Sequence, residues 1–280
     1  MFRLPIGDFF ERGIDFLKVH GESFFNALKE SVLFIIQHFE NLLQWIPWWM
    51  LILIFVILAF SLSGKKLAIF TGLGLTFIYS LDLWSETLDT LSLVLSSTLF
   101  TLLIGIPLGV AMSKNDNTQK ILQPILDFMQ TMPAFIYLIP SVIFFGLGKM
   151  PGAIATIIFA MPPVVKLTNL GIRQVPKDVI EAAISFGCTQ KQMLRKVQIP
   201  LALPTILTGI NQTIMLSLSM VVISAMIGAR GLGEVVYSGV TQMKIGKGFE
   251  GGIAVVILAI ILDRLTQSLG IRKKRKQNNK

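Results

Sequence analysis

Residues 90–112 and 204–228 pass without one Asp, Glu, Lys or Arg, and the runs 46–62, 66–80, 132–149, 152–169 and 251–270 are nearly as apolar. Crossing the hydrocarbon of a bilayer takes roughly 20 residues of helix, so these seven runs read as spans of an all-α integral membrane protein. The overall balance agrees: 53% of the 280 residues are hydrophobic, 15% are charged, and mean hydropathy is +0.69. A water-soluble domain of this length rarely tolerates that. The second and fifth runs are short. They fit as tilted or broken pieces of a bundle, with breaks expected at Gly72 and Gly74 or at Pro162 and Pro163.

Composition removes several function classes. The 25 Lys and Arg against 16 Asp and Glu are scattered between apolar runs, with no aromatic-interleaved groove, so nucleic acid is not an expected partner. Cys188 is the only cysteine, and His20 and His38 both precede the first run, so neither a disulfide framework nor a metal centre is expected. A membrane enzyme would need His, Asp or Cys clustered near one face, and no catalytic residue is assigned. Lys149 follows Gly148 but lacks the upstream glycine and the following Ser or Thr of a phosphate loop, so this chain is not expected to hydrolyse ATP or to bind a cofactor. No basic start, short apolar core and small-residue cleavage site occur in order, and no removable signal peptide is expected.

The chain divides into an N-terminal region 1–45, a membrane domain 46–270 and a basic tail 271–280. In the first, Phe24, Phe25, Leu28, Val32, Ile35, Ile36, Phe39, Leu42 and Leu43 recur three and four apart, with Glu22, Lys29, Glu30, Gln37 and Glu40 between. This is an amphipathic helix too charged to span, expected along the membrane interface or on a neighbouring subunit. Trp45, Trp48 and Trp49 mark a headgroup-level belt after it. With the N-terminus outside, 17 basic residues fall on the inner side and 8 on the outer, which predicts a cytoplasmic C-terminus. The tail Arg272 to Lys276 reads first as a topology signal and second as a site for anionic membrane lipids.

Between the fifth and sixth runs, 170–200 is the longest polar stretch on the inner side. Pro176 opens a short helix that ends at Gly187, a residue suited to the left-handed position past a helix end. Thr189 caps the next helix, Gln192 completes a capping box, and Pro200 is expected to stop it. The product is an L-shaped helical hairpin. Val179, Ala183 and Gly187 share one face, with Ala182 beside it, so a partner surface has room to approach closely.

The order Glu181, Ala182, Ala183, three residues, Gly187, nine residues, Val197, Gln198, Ile199, Pro200 resembles the EAA signature of bacterial ABC importer permeases. The family pattern ends Ile-x-Leu-Pro, and Val197 and Ile199 are mild replacements for its two aliphatics. Further runs look like the glycine betaine and proline betaine permeases of osmoprotectant uptake: Gln130 to Phe135, Phe159 to Pro163, Asn211 to Met215, Leu218 to Ile223 and Gly228 to Gly233. The resemblance covers most of the chain from about residue 90. It implies that the hairpin is a coupling helix docking into a cleft on a cytoplasmic ATPase subunit, through Glu181, Ala182, Ala183 and Gly187. It further implies a permease homodimer, two ATPase subunits that bind ATP and Mg, an extracytoplasmic substrate-binding protein, and a place in the bacterial cytoplasmic membrane.

A betaine's quaternary ammonium cannot donate a conventional hydrogen bond, so aromatic faces suit it. Phe135, Tyr137, Phe144 and Phe145 offer them, although for any one of them a lipid-facing or core role is the commoner reading. Asn211, Gln212, Ser217 and Ser219 are polar at hydrocarbon depth, where such groups face a bundle interior or a wet path. Phe135, Tyr137, Asn211, Gln212, Ser219 and Met220 are the pathway candidates, with interhelical hydrogen bonding as the competing reading for the polar ones. Asp263 and Arg264 read as snorkelling or paired with a neighbour, ahead of a proton relay. A self-sufficient secondary transporter would show inverted halves with broken helices and intramembrane acids, which are not found. Permeases for amino acids or other small solutes share the EAA loop and remain the nearer alternative.

Overall fold

The computed structural model describes residues 12–278 apart from 16 and 19, with side chains as far as residue 268. Helices make up almost all of it, and no strand occurs among the described residues. In chain order they are α1 (Glu22–Trp45), α2 (Trp48–Ser63), α3 (Lys65–Ser80), α4 (Trp84–Lys114), α5 (Asp116–Thr131) and α6 (Leu138–Phe145), the last entered through a 3₁₀ turn at Ala134–Tyr137. Then come α7 (Lys149–Arg173), α8 (Lys177–Ser185), the long α9 (Gln190–Ile227), α10 (Leu232–Thr241) and α11 (Ile245–Asn278).

Four of these, α4, α7, α9 and α11, are long and apolar enough to cross a membrane. The count rises to six if α1 with α2, bent by 102°, and α5 with α6, bent by 110°, are each one broken span. The seven runs of the sequence therefore resolve unevenly. The first two are α2 and α3, each 16 residues, about 24 Å of helix against about 30 Å of hydrocarbon. They pack on one another across a turn at Gly64, whose φ of 95° suits a glycine. The fourth, 132–149, is not one helix: it is the 3₁₀ turn, the eight residues of α6, and a loop in which Gly146 and Gly148 have φ of 81° and 119°.

Two expected breaks do not occur. Helix α3 runs unbroken past Gly72 and Gly74, because Gly74 serves a close approach: a Cβ there would stand 2.7 Å from Ile257 on α11. Helix α7 continues through Pro162 and Pro163 for 25 residues, so the fifth run is not short. The prolines leave carbonyls unpaired in the preceding turn. The carbonyls concerned are those of Ile158 and Phe159; on either side of them the neighbouring helices add bonds to α7, Thr213 donating to the Ala160 carbonyl at 3.0 Å and Thr101 reaching that of Ile157 at 3.4 Å.

The centre of the bundle is the packing of α7 between α4 and α9. Small residues hold it together, since hydrocarbon supplies little drive for helices to associate and close van der Waals contact must do the work. Gly105 and Gly109 of α4 lie against Val164, Val165 and Thr168 of α7, while Gly209 of α9 lies against Val164 and Leu167. Thr98, Thr101, Thr156, Thr213 and Ser217 are buried in the same seam. Helix α11 covers α9 and reaches α2 and α3, and α10 lies on α11.

The N-terminal helix is amphipathic as expected, but its apolar stripe packs into the main core. Val32 and Ile36 are each 1% exposed, in one cluster with residues of α3, α4, α7 and α9. Glu40, assigned by sequence to the polar face, points inward. It accepts from Lys149 Nζ at 2.5 Å, and Asp89 shares the same ammonium at 3.2 Å. The charge on the buried side is thus matched by a cation 109 positions away, a pairing invisible to helical periodicity.

Candidate functional site: the hairpin and the outward face of α9

The hairpin forms as its residues demand. Pro176 occupies the N-cap of α8 with φ −55° and ψ 136°. At the other end Gly187 takes φ +76°, its N–H bonds the Ile184 carbonyl at 2.8 Å, and the Cys188 N–H bonds that of Ala183 at 3.1 Å. This pair of bonds is the Schellman pattern, which needs a residue that tolerates positive φ. Thr189 then caps α9: its Oγ1 accepts from the Gln192 N–H at 3.3 Å, and Gln192 Oε1 accepts from the Thr189 N–H at 2.9 Å. The expected capping box is present.

Pro200 does not stop this second helix. A π-helical turn at Met193–Gln198 precedes it, and α9 runs on without interruption to Ile227. The missing N–H of Pro200 falls where bonding changes from the π to the α pattern, so the proline costs less than within a uniform helix. The second arm of the hairpin and the sixth apolar run are consequently one 38-residue helix.

No residue of α8 is buried. Glu181, Ala182 and Gly187 are exposed and Ala183 is half-buried. Beside them Val179 and Phe186, the latter 90% exposed, present apolar surface, and Ile184, also exposed, borders the cavity behind the hairpin. A Cβ built on Gly187 meets nothing within 4 Å. Behind the hairpin a cavity of about 290 Å³ separates it from the ends of α4 and α7, lined in part by Lys114, Ile172, Ile180, Cys188 and Met193.

The six pathway candidates do not converge on one surface. Gln212 and Ser219 are exposed, and with Thr208 and Met215 they make a stripe along one side of α9. Met220 is wholly buried on another side, in a cluster with Tyr137, Leu138 and Ala155. Neighbours in sequence lie about 100° apart on a helix, so Ser219 and Met220 face different sides of α9. Tyr137 is buried too, its hydroxyl donating to the Met129 carbonyl and its ring edge-on to Phe159. Phe135, two residues earlier in the 3₁₀ turn, is exposed. Asn211 belongs to an interhelical network: its amide donates to Asp263 Oδ1 at 2.8 Å, and its carbonyl oxygen accepts from Thr266. Phe144 stacks on Phe25 of α1 at 4.3 Å, and Phe145 is buried. Among the described residues no group of three or more His, Cys, Asp and Glu could hold a metal ion.

Sequence reasoning missed the ties that fasten α5 to α7. Lys166 Nζ reaches Asp127 Oδ1 at 2.5 Å, and Arg173 reaches Asp116 Oδ1 at 2.7 Å. The signal available was four polar residues of complementary type near the ends of two adjacent helices.

A bundle of membrane-length helices with a protruding, unburied hairpin is the build of a transporter's membrane subunit. The fold matches a chain of the MetNI methionine ABC transporter in an inward-facing conformation, with a TM-score of 0.57 and 26% identity over 67% of this chain and 92% of that one. The chain belongs to the family of binding-protein-dependent transport system inner membrane components, whose pattern matches residues 101–275. It is 48% identical over 276 residues to the glycine betaine transport system permease protein OpuAB of Bacillus subtilis, covering 99% of this chain and 98% of that one. It is 50% identical to the glycine betaine/carnitine transport permease protein GbuB of Listeria monocytogenes, covering 97% of each. It is thus a multi-pass inner-membrane component of a transport system.

Proposed function

We propose that this chain is the permease subunit of an ATP-driven importer of glycine betaine or a related quaternary ammonium osmolyte. The observation that carries the mechanism is the hairpin: a helix with no buried residue, closed at its C-terminus by the Gly187 turn, with Val179 and Phe186 exposed one helical repeat apart, a surface that wants a protein partner. A cytoplasmic ATPase, binding ATP and Mg, docks there over Ala182, Ala183 and Gly187, with Glu181 as its charged anchor. An extracytoplasmic binding protein delivers solute on the other side.

Two copies of the chain form the pathway between them. The stripe Thr208, Gln212, Met215 and Ser219 supports this through Gln212, because an exposed carboxamide at hydrocarbon depth belongs beside a wet path or a second helix and not beside lipid; the Thr208 and Ser219 hydroxyls bond carbonyls of their own helix. Phe135 adds an exposed aromatic face next to α9, suited to a trimethylammonium group. The chain crosses seven times from an outside N-terminus to a cytoplasmic C-terminus, counting α2 and α3 as short spans and α5 with α6 as one broken span. Helix α1, transverse to α2, lies along the outer interface with Phe24, Phe34 and Trp45 toward lipid.

The test is reconstitution of the permease with its ATPase and binding protein in proteoliposomes. Labelled glycine betaine should accumulate only with ATP on the ATPase side. ATP-dependent accumulation of methionine with no movement of betaine would reassign the substrate, and accumulation without any ATPase would remove the class.

A further inference from the structure

Helix α5 is held to the bundle in an unusual way. Of its 16 residues only Leu126 is buried, while Ile121, Ile125 and Phe128 are exposed. Leu126, with the partly buried Leu122 and Met129, packs on Met112, Val164 and Val165, and the remaining attachments are polar. Lys166, Asn169 and Arg173 are spaced so that they share one side of α7, and two of the three grip α5: Lys166 bonds Asp127 and Gln130, and Arg173 bonds Asp116. Arg173 does more than pair with a carboxylate. The same guanidinium donates from Nη2 to the Met112 carbonyl in the last turn of α4 at 2.8 Å, and from Nε to Asn169 Oδ1 at 3.0 Å. One side chain therefore joins the end of α7, the end of α4 and the start of α5.

Its position in the chain matters as much. Arg173 is the last residue of α7, and only Gln174 and Val175 separate it from Pro176, which opens the hairpin helix α8. A displacement of α8 is passed to α7 through this residue, as it is passed to α9 at the other arm of the hairpin. At the far end of α5 the turn Ala134–Tyr137 begins after two residues, and the Tyr137 hydroxyl reaches back to the Met129 carbonyl of α5. We propose that Arg173 is the positioning residue that relays movement of the hairpin to α5 and, through α5, to the turn carrying Phe135. This rests on the coupling reading above. The ties suit a relay that must move: the Asp116 carboxylate is 76% exposed, and an ion pair so open to solvent is weak. It guides the helix without locking it, and the cavity behind the hairpin leaves room for the motion.

The experiment uses the complete transporter in proteoliposomes and reads solute moved per ATP hydrolysed, together with ATPase retained on purification. Arg173→Gln should keep the ATPase at wild-type stoichiometry and continue to hydrolyse ATP, while solute moved per ATP falls about tenfold. Asp116→Asn, which leaves the Met112 and Asn169 bonds intact, should lower the same ratio by less, and Arg173→Lys should fall between wild type and Arg173→Gln. A wild-type ratio in Arg173→Gln overturns the relay. So does loss of the ATPase in step with uptake, since Arg173 would then merely support docking. Should Arg173→Gln fail to fold, Asp116→Asn decides, and an unchanged ratio there overturns the proposal. The coupling reading fails separately: it falls if Glu181→Lys keeps both ATPase and uptake, whatever Arg173 does.

Discussion

Glycine is used in two opposite ways in this chain, and the contrast separates the bundle from the hairpin. In the seam between α4, α7 and α9, glycines are required by their neighbours. A Cβ on Gly109 would stand 2.7 Å from the Val165 carbonyl oxygen and 2.6 Å from the Thr168 Cβ, and one on Gly105 would stand 2.5 Å from a Val164 methyl. In the hairpin, Gly187 is required by its own backbone, with φ +76° and open space where a side chain would go. The seam's glycines answer to contacts within the chain, whereas the hairpin's glycine answers to its own turn, on an arm none of whose residues is buried.

The largest effect should come from filling the seam. Gly109→Val forces atoms into backbone and should cost at least about 1–3 kcal/mol, read as a fall in the yield of monodisperse permease and in its Tm. A variant with unaltered Tm would mean that the seam is looser than the distances imply.

Gly187→Val should leave bundle Tm close to wild type, because its strain of order 1–3 kcal/mol is confined to the hairpin. Uptake should nevertheless fall about tenfold or more as docking weakens, and Glu181→Lys should act in the same direction. Co-purification of the ATPase checks both, and wild-type association and uptake in the two variants would show that this loop is not where the ATPase binds.

A smaller and more local difference is expected between adjacent positions on α9. In a chain whose Cys188 is replaced by Ser, Ser219→Cys should react with a polar maleimide and Met220→Cys should resist it, since the first is exposed and the second wholly buried. Equal reactivity would break the assignment of the outward stripe to the pathway. Least of all, Thr189→Ala removes a cap worth about 1 kcal/mol and should speed hydrogen exchange in the first turn of α9 while uptake changes only modestly.

The bend of the hairpin was legible because the signals that build it are local: Pro176 before a helix, Gly187 after one, Thr189 three positions from Gln192; the end expected at Pro200 was not, because a π turn lets the helix run on. Helix positions for the long spans were legible for the same reason. What sequence concealed depends on partners far along the chain. Glu40 reads as solvent-facing until Lys149 is placed beside it, and Asn211 reads as pathway until Asp263 takes its amide. Gly74 and Pro162 look like breaks because a lone helix would break there. A neighbouring helix supplies the reason for the glycine, and the packing of α7 between two helices holds it straight through the proline pair. Ser219 and Met220 were treated together although helical phase alone sets them apart.

The π turn at Met193–Gln198 has a geometric consequence of its own. Such a turn holds one residue more than the α-helix it interrupts, and one residue is about 100° of rotation. It therefore acts as a phase offset between the two ends of α9, letting the capped first turn meet the hairpin while the stripe farther on keeps a different azimuth. Deleting a single residue there and restoring plain α-helix would leave both ends helical and both surfaces chemically intact, yet swing the hairpin about a third of a turn around the axis of the helix that carries it.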